Sequence, residues 1–166
     1  MNEAFVRYLS DDNKDYILSA FQTSDINNYD IPLTASYNIT HKNAVSAFDK
    51  DYYIDLDFGK EFGSFLFDTA IRKLDYWFDY KINISRQTEL MIPQGYTITN
   101  MPAGTDIKND NYEFKITYSM QPGKLIYNKI IIIKNTWLKK ADFAKWNNDI
   151  RKLAAAYNEQ ITLTSK

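Results

Sequence analysis

The feature that most constrains the fold is a pair of strand-like stretches on either side of Pro122-Gly123. From Asn111 to Met120, apolar and polar residues alternate, which is typical of a half-buried β-strand. From Leu125 to Lys134, the run Ile130–Ile133 makes both faces apolar, which predicts a strand inside a sheet. Because Pro and Gly together mark a chain reversal, the two strands are expected to pair antiparallel.

The same pattern extends this hairpin upstream, so that one meander of strands is predicted between Gln87 and Asn135. Two shorter strand candidates, Glu89–Ile92 and Tyr96–Met101, flank the breaker cluster Pro93-Gln94-Gly95. We therefore expect antiparallel strands laid side by side, with the isoleucine-rich strand at the centre.

Strand-like patterns also precede this region, and a helical period follows it. Further strands are predicted at Leu33–Thr40, Asp51–Phe58 and Asp75–Ile84, with residues 59–74 as a loop. Between Lys139 and Tyr157, apolar residues recur at steps of three and four, which is typical of a helix with one buried face. The residues of that face are Phe143, Trp146, Ile150, Leu153 and Tyr157. Ile161 and Leu163 indicate a final edge strand.

The spacing of apolar residues within Glu3–Phe21 predicts two short helices at the N-terminus. We assign residues 1–28 to an N-terminal helical segment, the end of a preceding region, and residues 29–166 to a β-rich accessory domain. The expected class is α+β, an antiparallel β-sandwich or meander sheet of about seven strands, with short N-terminal helices and a C-terminal helix packed on the sheet.

Composition excludes several classes of function. Twenty Lys plus Arg face twenty-one Asp plus Glu without a basic stripe, which argues against nucleic-acid binding. The absence of Cys excludes disulfides, thiolate metal sites and a Cys nucleophile within this chain. No apolar run is long enough for a membrane span, and the N-terminus lacks the pattern of a signal peptide. The sequence therefore indicates either a cytoplasmic protein or a fragment of a longer exported chain.

Several turn and strand motifs carry a family resemblance. They are Arg72-Lys73 before a strand, Pro93, Gly95 and Tyr96 in a turn, Pro102 shortly after it, and Phe143 in the final helix. Over about 29–163, this arrangement resembles the C-terminal β-rich domain of unknown function that follows the transglutaminase-like core in exported multidomain proteins of Gram-negative bacteria. The resemblance implies a periplasmic or extracellular location and an accessory role beside that core.

No catalytic, cofactor or metal site is predicted. A transglutaminase-like reaction needs a Cys nucleophile and a His base, whereas this chain has no Cys and its single histidine, His41, is expected in a turn. The acidic residues Asp49, Asp51, Asp55 and Asp57 have the oxygen ligands that Ca²⁺ prefers. However, Asp51 and Asp55 on one strand would lie roughly 13 Å apart, so a solvated polar face is the better interpretation.

The best candidate for an interaction surface is aromatic. In the segment Tyr76–Tyr80, either Trp77 or the row formed by the other rings is expected to face outward, because strand residues alternate between two faces. The predicted surface residues are Trp77, Tyr53, Tyr76, Phe78 and Tyr80. Two functions follow: a noncatalytic structural or interaction domain serving a neighbouring domain of the same polypeptide, or a stand-alone module that binds envelope carbohydrate or peptide.

Overall fold

A computed structural model describes residues 16–42, 45–57 and 59–166. The chain divides into two compact units, Met1–Ala44 and Val45–Lys166. Residue 28, after which we expected a boundary, lies between two strands that pair with each other within the first unit.

The described part of the first unit is a hairpin of two antiparallel strands, β1 (Tyr16–Thr23) and β2 (Ala35–His41). The prediction of a helix is therefore wrong from Tyr16 onward, and its earlier part lies outside the described residues. Local spacing suited a helix, but pairing with β2 satisfies the backbone groups of β1 across the strands. Ser24 closes the hairpin, since its Oγ accepts a hydrogen bond from the Thr34 amide at 2.9 Å.

The second unit contains two four-stranded antiparallel sheets, one two-stranded ribbon and one α-helix among its described residues. The first sheet has the order β6-β10-β9-β8, formed by Ile82–Met91, Lys124–Ile133, Tyr112–Gln121 and Thr105–Lys108. The second has the order β3-β4-β12-β7, formed by Val45–Phe48, Asp51–Ile54, Ile161–Ser165 and Tyr96–Asn100. The ribbon pairs β5 (Tyr76–Trp77) with β11 (Trp137–Leu138). The described residues thus form twelve strands rather than about seven.

The central position predicted for the isoleucine-rich strand is confirmed. Strand β10 pairs along its whole length with β9 on one side and β6 on the other. Its core-facing side chains, Leu125, Tyr127, Lys129, Ile131 and Ile133, are all almost fully buried. One charged residue therefore lies within an otherwise apolar row.

The prediction of a single meander is wrong at β7, which joins the second sheet. There, β12 separates β7 from β4, and Leu163 lies opposite Ile98 on one side and Tyr52 on the other. The predicted edge strand at Ile161 is therefore an inner strand. Both errors have one cause: the partners of β12 lie far away in sequence, and local patterns do not encode such pairing.

The C-terminal helix, α1 (Phe143–Tyr157), follows a short 3₁₀ turn at Lys140–Asp142, and its buried face is the predicted one. Trp146 is fully buried at the centre of a cluster of aromatic rings, and Phe62 meets it edge-on at a centroid distance of 5.8 Å. The strand predicted at Asp75–Ile84 is interrupted after Trp77, because the short β5 pairs with β11 and not with the long strand β6.

Candidate functional site

Two tryptophans form an exposed aromatic surface on the ribbon of β5 and β11. Trp77 and Trp137 stand directly opposite each other, and their rings stack with centroids 5.4 Å apart and planes 5° from parallel. The exposed fractions are 63% for Trp77 and 38% for Trp137. We refer to these two residues as the tryptophan pair.

Asp75 holds the tryptophan pair in place. One carboxylate oxygen accepts a hydrogen bond from Trp137 Nε1 at 2.9 Å, and the other accepts from the Lys140 amide at 2.7 Å. The pKa of Asp75 is lowered chiefly by the Lys140 amide and secondly by the indole. The carboxylate therefore ties the two strands of the ribbon together just beside the exposed rings.

A tight turn before β5 presents two more apolar side chains to solvent. Asp68 Oδ1 accepts hydrogen bonds from the amides of Ala70 and Ile71. Arg72 donates to the carbonyls of Leu74 and Asp75, and its guanidinium lies 5.0 Å from the ring centroid of Tyr76. Ile71 and Leu74 are 76% and 77% exposed. The Arg72-Lys73 motif thus belongs to a fixed turn, with Arg72 as its brace.

The five residues predicted as an interaction surface separate in the structure. Trp77 and Tyr80 are exposed, whereas Phe78 is buried and Tyr76 packs against the core. The inclusion of Tyr76 and Phe78 is corrected by this burial: on β5 Tyr76 turns inward when Trp77 points outward, and Phe78, just after the strand, is also buried. Tyr53 lies half-buried on β4, in a different sheet.

The turn motif that carries the family resemblance lines an apolar groove of about 600 Å³. Pro93, Gly95 and Tyr96 form one part of the lining, and Met101 and Met120 contribute thioether side chains. Gly95 has a φ of 89°, a left-handed conformation that glycine adopts without strain. The lining contains no Asp, Glu, His, Lys or Arg, so the groove offers mainly apolar packing.

A second cluster of polar groups is buried beneath the sheet around Lys129. The Lys129 side chain is 0% exposed, and Nζ lies 2.5 Å from Asp57 Oδ1 and 2.7 Å from Glu61 Oε2. It also donates to the carbonyl of Gly59. Arg86 pairs with Glu61 at 2.5 Å. We call Lys129, Asp57, Glu61 and Arg86 the ion cluster; its two cations balance its two carboxylates.

Two tyrosines complete the surroundings of the ion cluster. Tyr127 donates a hydrogen bond to Asp57 Oδ2 at 2.7 Å, and the Tyr157 ring centroid lies 5.1 Å from Lys129 Nζ. Burial raises the pKa of both phenols far above the ordinary value, and the charge of Asp57 adds to the effect. For nearby Tyr118, burial raises the pKa to about 12. All three phenols therefore remain protonated at physiological pH.

The ion cluster was not predicted from the sequence, although strand alternation indicates the burial of one member, Lys129. Lys129 shares the parity of Leu125, Tyr127 and Ile131, so strand alternation already places it on the core-facing side. A buried lysine requires a partner, which the pattern alone does not identify. Asp57 was expected on a solvated face, but β4 ends at Ile54 and the chain then turns Asp57 inward.

The other acidic candidates do not converge. Asp49 lies in the turn between β3 and β4, Asp51 accepts a hydrogen bond from Thr164 at 2.6 Å, and Asp55 pairs with Lys60 at 2.9 Å. In the described ranges, no three His, Asp or Glu residues form a group suited to a metal ion. His41 ends β2 in the first unit, opposite Tyr16. Nor does any helix among the described residues have the length and apolar character needed to cross a membrane.

Comparison with known proteins identifies one family. Residues 49–163 match the model described as "Domain of Unknown Function with solved-structure structure", DUF3858. Searches of curated proteins and of solved structures gave no match. The expectation of a domain of unknown function is confirmed, whereas the transglutaminase-like neighbour remains a prediction. Because the match covers most of the chain and nearly all of its second unit, this protein belongs to the DUF3858 family.

Proposed function

We propose that the chain is a noncatalytic interaction domain that docks on a neighbouring domain of the same polypeptide. On the resemblance of its turn motifs, that neighbour is a transglutaminase-like core, and the whole protein is exported to the periplasm or the cell exterior. A β-sandwich-like arrangement of the two large sheets belongs to the same proposal. The observation that carries it is the tryptophan pair.

The tryptophan pair has the properties of an interface hot spot. Tryptophan is enriched among the residues that dominate binding energy, because its large ring buries much area with few rotatable bonds. Stacking of Trp77 on Trp137, together with the hydrogen bond to Asp75, fixes the rings before any partner arrives. Such preorganisation lowers the entropy lost on binding.

The neighbouring turn supports a protein partner. Ile71 and Leu74 are small aliphatic side chains held out by the turn that Arg72 braces. Exposed aliphatic and aromatic groups in one short segment suit the apolar centre of a protein interface. Lys139 lies 5.3 Å from the Trp137 ring centroid and adds a cation at its rim.

The alternative, a module for envelope carbohydrate or peptide, relies on the outer face of Trp77. Sugar sites combine a stacking ring with polar groups that read the hydroxyls, as ligand pockets generally pair apolar and polar contacts. Both oxygens of the nearest carboxylate, Asp75, already accept hydrogen bonds within the ribbon. This occupancy favours the protein partner.

Calorimetric titration of the chain with the separately purified transglutaminase-like core tests the proposal. We expect saturable binding, and we expect Trp77→Ala to raise the Kd by about tenfold or more, roughly 1.4 kcal/mol. Tyr29→Ala is the matched control, because Tyr29 is 94% exposed but lies in the first unit. Its Kd should equal that of the wild type.

Two results would count against the proposal: no heat of binding with the core, or the same Kd for wild type and Trp77→Ala. A parallel titration with envelope glycans distinguishes the docking domain from the alternative, a carbohydrate-binding module. Saturable glycan binding that is lost in Trp77→Ala, without binding to the core, would replace the docking domain with a carbohydrate module.

A further inference from the structure

The ion cluster brings an amine and a carboxyl group into contact where water is excluded. Lys129 Nζ lies 2.5 Å from Asp57 Oδ1, and the lysine side chain is 0% exposed while that of Asp57 is 6% exposed. With a carbon–oxygen bond of about 1.2 Å, Nζ is at most about 3.7 Å from the carboxyl carbon. This separation is close to the 3–3.5 Å or so of a reactive geometry.

Condensation requires a neutral amine and a neutral carboxylic acid. Moving one proton from Nζ to Oδ1 across the 2.5 Å contact supplies both groups in one step. The Glu61 carboxylate pairs with Arg86 at 2.5 Å, and its Oε2 lies 2.7 Å from Nζ. A neutral amine, a neutral carboxylic acid and a carboxylate base then lie side by side.

We propose that Lys129 and Asp57 condense to form an intramolecular isopeptide bond. After the proton transfer, the Nζ lone pair attacks Cγ of Asp57 and forms the new nitrogen–carbon bond. Glu61, 2.7 Å from Nζ, takes one proton from the nitrogen and passes it to Oδ1. The bond from Cγ to Oδ1 then breaks, and Oδ1 leaves as one molecule of water. Glu61 ends as it began, so no oxidant, reductant or other reactant is required.

One hydrogen-bond donor faces Oδ2, the oxygen on which negative charge develops during this step, and a second positions Oδ1, the oxygen that leaves. Tyr127 donates to Oδ2 at 2.7 Å, and the Gly59 amide donates to Oδ1 at 3.0 Å. Fixed donors aimed at the reacting oxygens are the usual means of stabilising a tetrahedral intermediate. Oδ2 is retained as the amide oxygen, still bonded to Tyr127.

The product would also be satisfied in this site. The amide keeps one N–H on the former Nζ, and the carbonyl of Gly59, which already accepts from that atom, can accept it. The bond would join the central strand β10 to the segment that follows β4, closing a long loop in a chain without cysteine. Closing such a loop restricts the unfolded chain, as a disulfide does.

Intact-mass spectrometry of the full chain, unfolded in acid after native purification, tests the proposal directly. We expect a mass about 18 Da below the sequence mass, since one water is lost. Tryptic digestion should leave the Asp57 and Lys129 peptides joined. Lys129→Met removes the amine and should restore the full mass. Glu61→Gln should also restore it, although Lys129 and Asp57 are both still present.

Glu89→Gln is the matched control. Glu89 pairs with Lys124 at 2.8 Å between β6 and β10, but on the surface, so its loss should leave the deficit unchanged. A wild-type mass equal to the sequence mass would overturn the proposed bond and leave only an ion pair between Lys129 and Asp57. A deficit that persists in Lys129→Met, or that maps to other peptides, overturns it equally. A deficit that persists in Glu61→Gln overturns the role of Glu61.

Discussion

At the scale of single residues, Lys129 is the most demanding feature of the molecule. A buried amino group needs polar partners that replace its lost hydration, and here Asp57, Glu61 and the Gly59 carbonyl surround it. Arg86 in turn compensates Glu61. The segment after β4 is thereby fastened to the central strand.

Removing the lysine should therefore be costly. Lys129→Ala removes the proposed bond and leaves the carboxyl group of Asp57 buried without its partner, and we expect a loss of about 3–5 kcal/mol in the free energy of unfolding. Urea denaturation followed by fluorescence measures the loss. Lys124→Ala, which breaks the exposed pair with Glu89, is the control and should cost about 1 kcal/mol or less. Equal small losses in both variants would show that the ion cluster does not stabilise the fold.

The pH dependence of stability is expected to have a component from Asp75. Its folded pKa lies below the usual value of 3.8, so the folded state binds the proton less tightly than the unfolded state. This stabilisation is complete above the unfolded pKa and is lost as the pH falls through the folded pKa. Below about pH 4, the urea midpoint of the wild type should therefore fall more steeply than that of Asp75→Asn.

A neighbouring carboxylate provides the control for that measurement. Asp79→Asn changes an exposed residue four positions further along the same segment and should keep the wild-type slope. If Asp75→Asn and the wild type lose stability in parallel over the acid range, the hydrogen bonds to Asp75 do not matter for stability.

At the scale of elements, helix α1 is attached to the core by a polar contact as well as by its apolar face. Asn147 is buried, and its side chain accepts a hydrogen bond from the Phe67 amide at 2.8 Å and donates to the Phe67 carbonyl at 2.7 Å. Phe67 also stacks on Phe143 with centroids 4.1 Å apart. The helix thereby anchors a segment that has no strand of its own.

This contact yields a prediction with a neighbouring residue as control. Asn147→Leu leaves two buried backbone groups of Phe67 without partners, at about 1–3 kcal/mol for each. We expect a loss of about 2–6 kcal/mol in the free energy of unfolding, measured by urea denaturation. Asn148→Leu changes the same residue type at an exposed position and should shift stability by no more than about 0.5 kcal/mol. A loss below about 1 kcal/mol in Asn147→Leu would contradict the assignment.

The elements that the sequence predicts well are those whose pattern is local. Helix α1 and strands β9 and β10 follow from the pattern of apolar residues within each segment: one apolar face for α1 and β9, and two for β10. The placement of β7 and β12 could not be predicted, because each pairs with a strand distant in sequence. For the candidate site, alternation predicts only that either Trp77 or the opposite row of rings faces outward. The stacking of Trp77 on Trp137 depends on the pairing of β5 with β11.

At the scale of the whole molecule, the described residues of the large apolar core belong to the second unit, from Leu56 to Ile161. The described part of the first unit is a two-stranded hairpin with exposed aliphatic side chains, including Ile17 and Leu33. The tryptophan pair lies on the ribbon of the second unit, and it is the surface on which we expect a neighbouring domain to dock.

Amide hydrogen exchange, compared between the chain alone and the chain joined to the transglutaminase-like core, tests the docking proposal most directly. We predict slower exchange in residues 68–80 and 135–140 of the joined protein, with the lining of the apolar groove unchanged. Trp77→Ala in the joined protein should return these segments to their exchange rates in the isolated chain. Identical exchange in the two forms, or new protection confined to the groove, would contradict docking through the tryptophan pair.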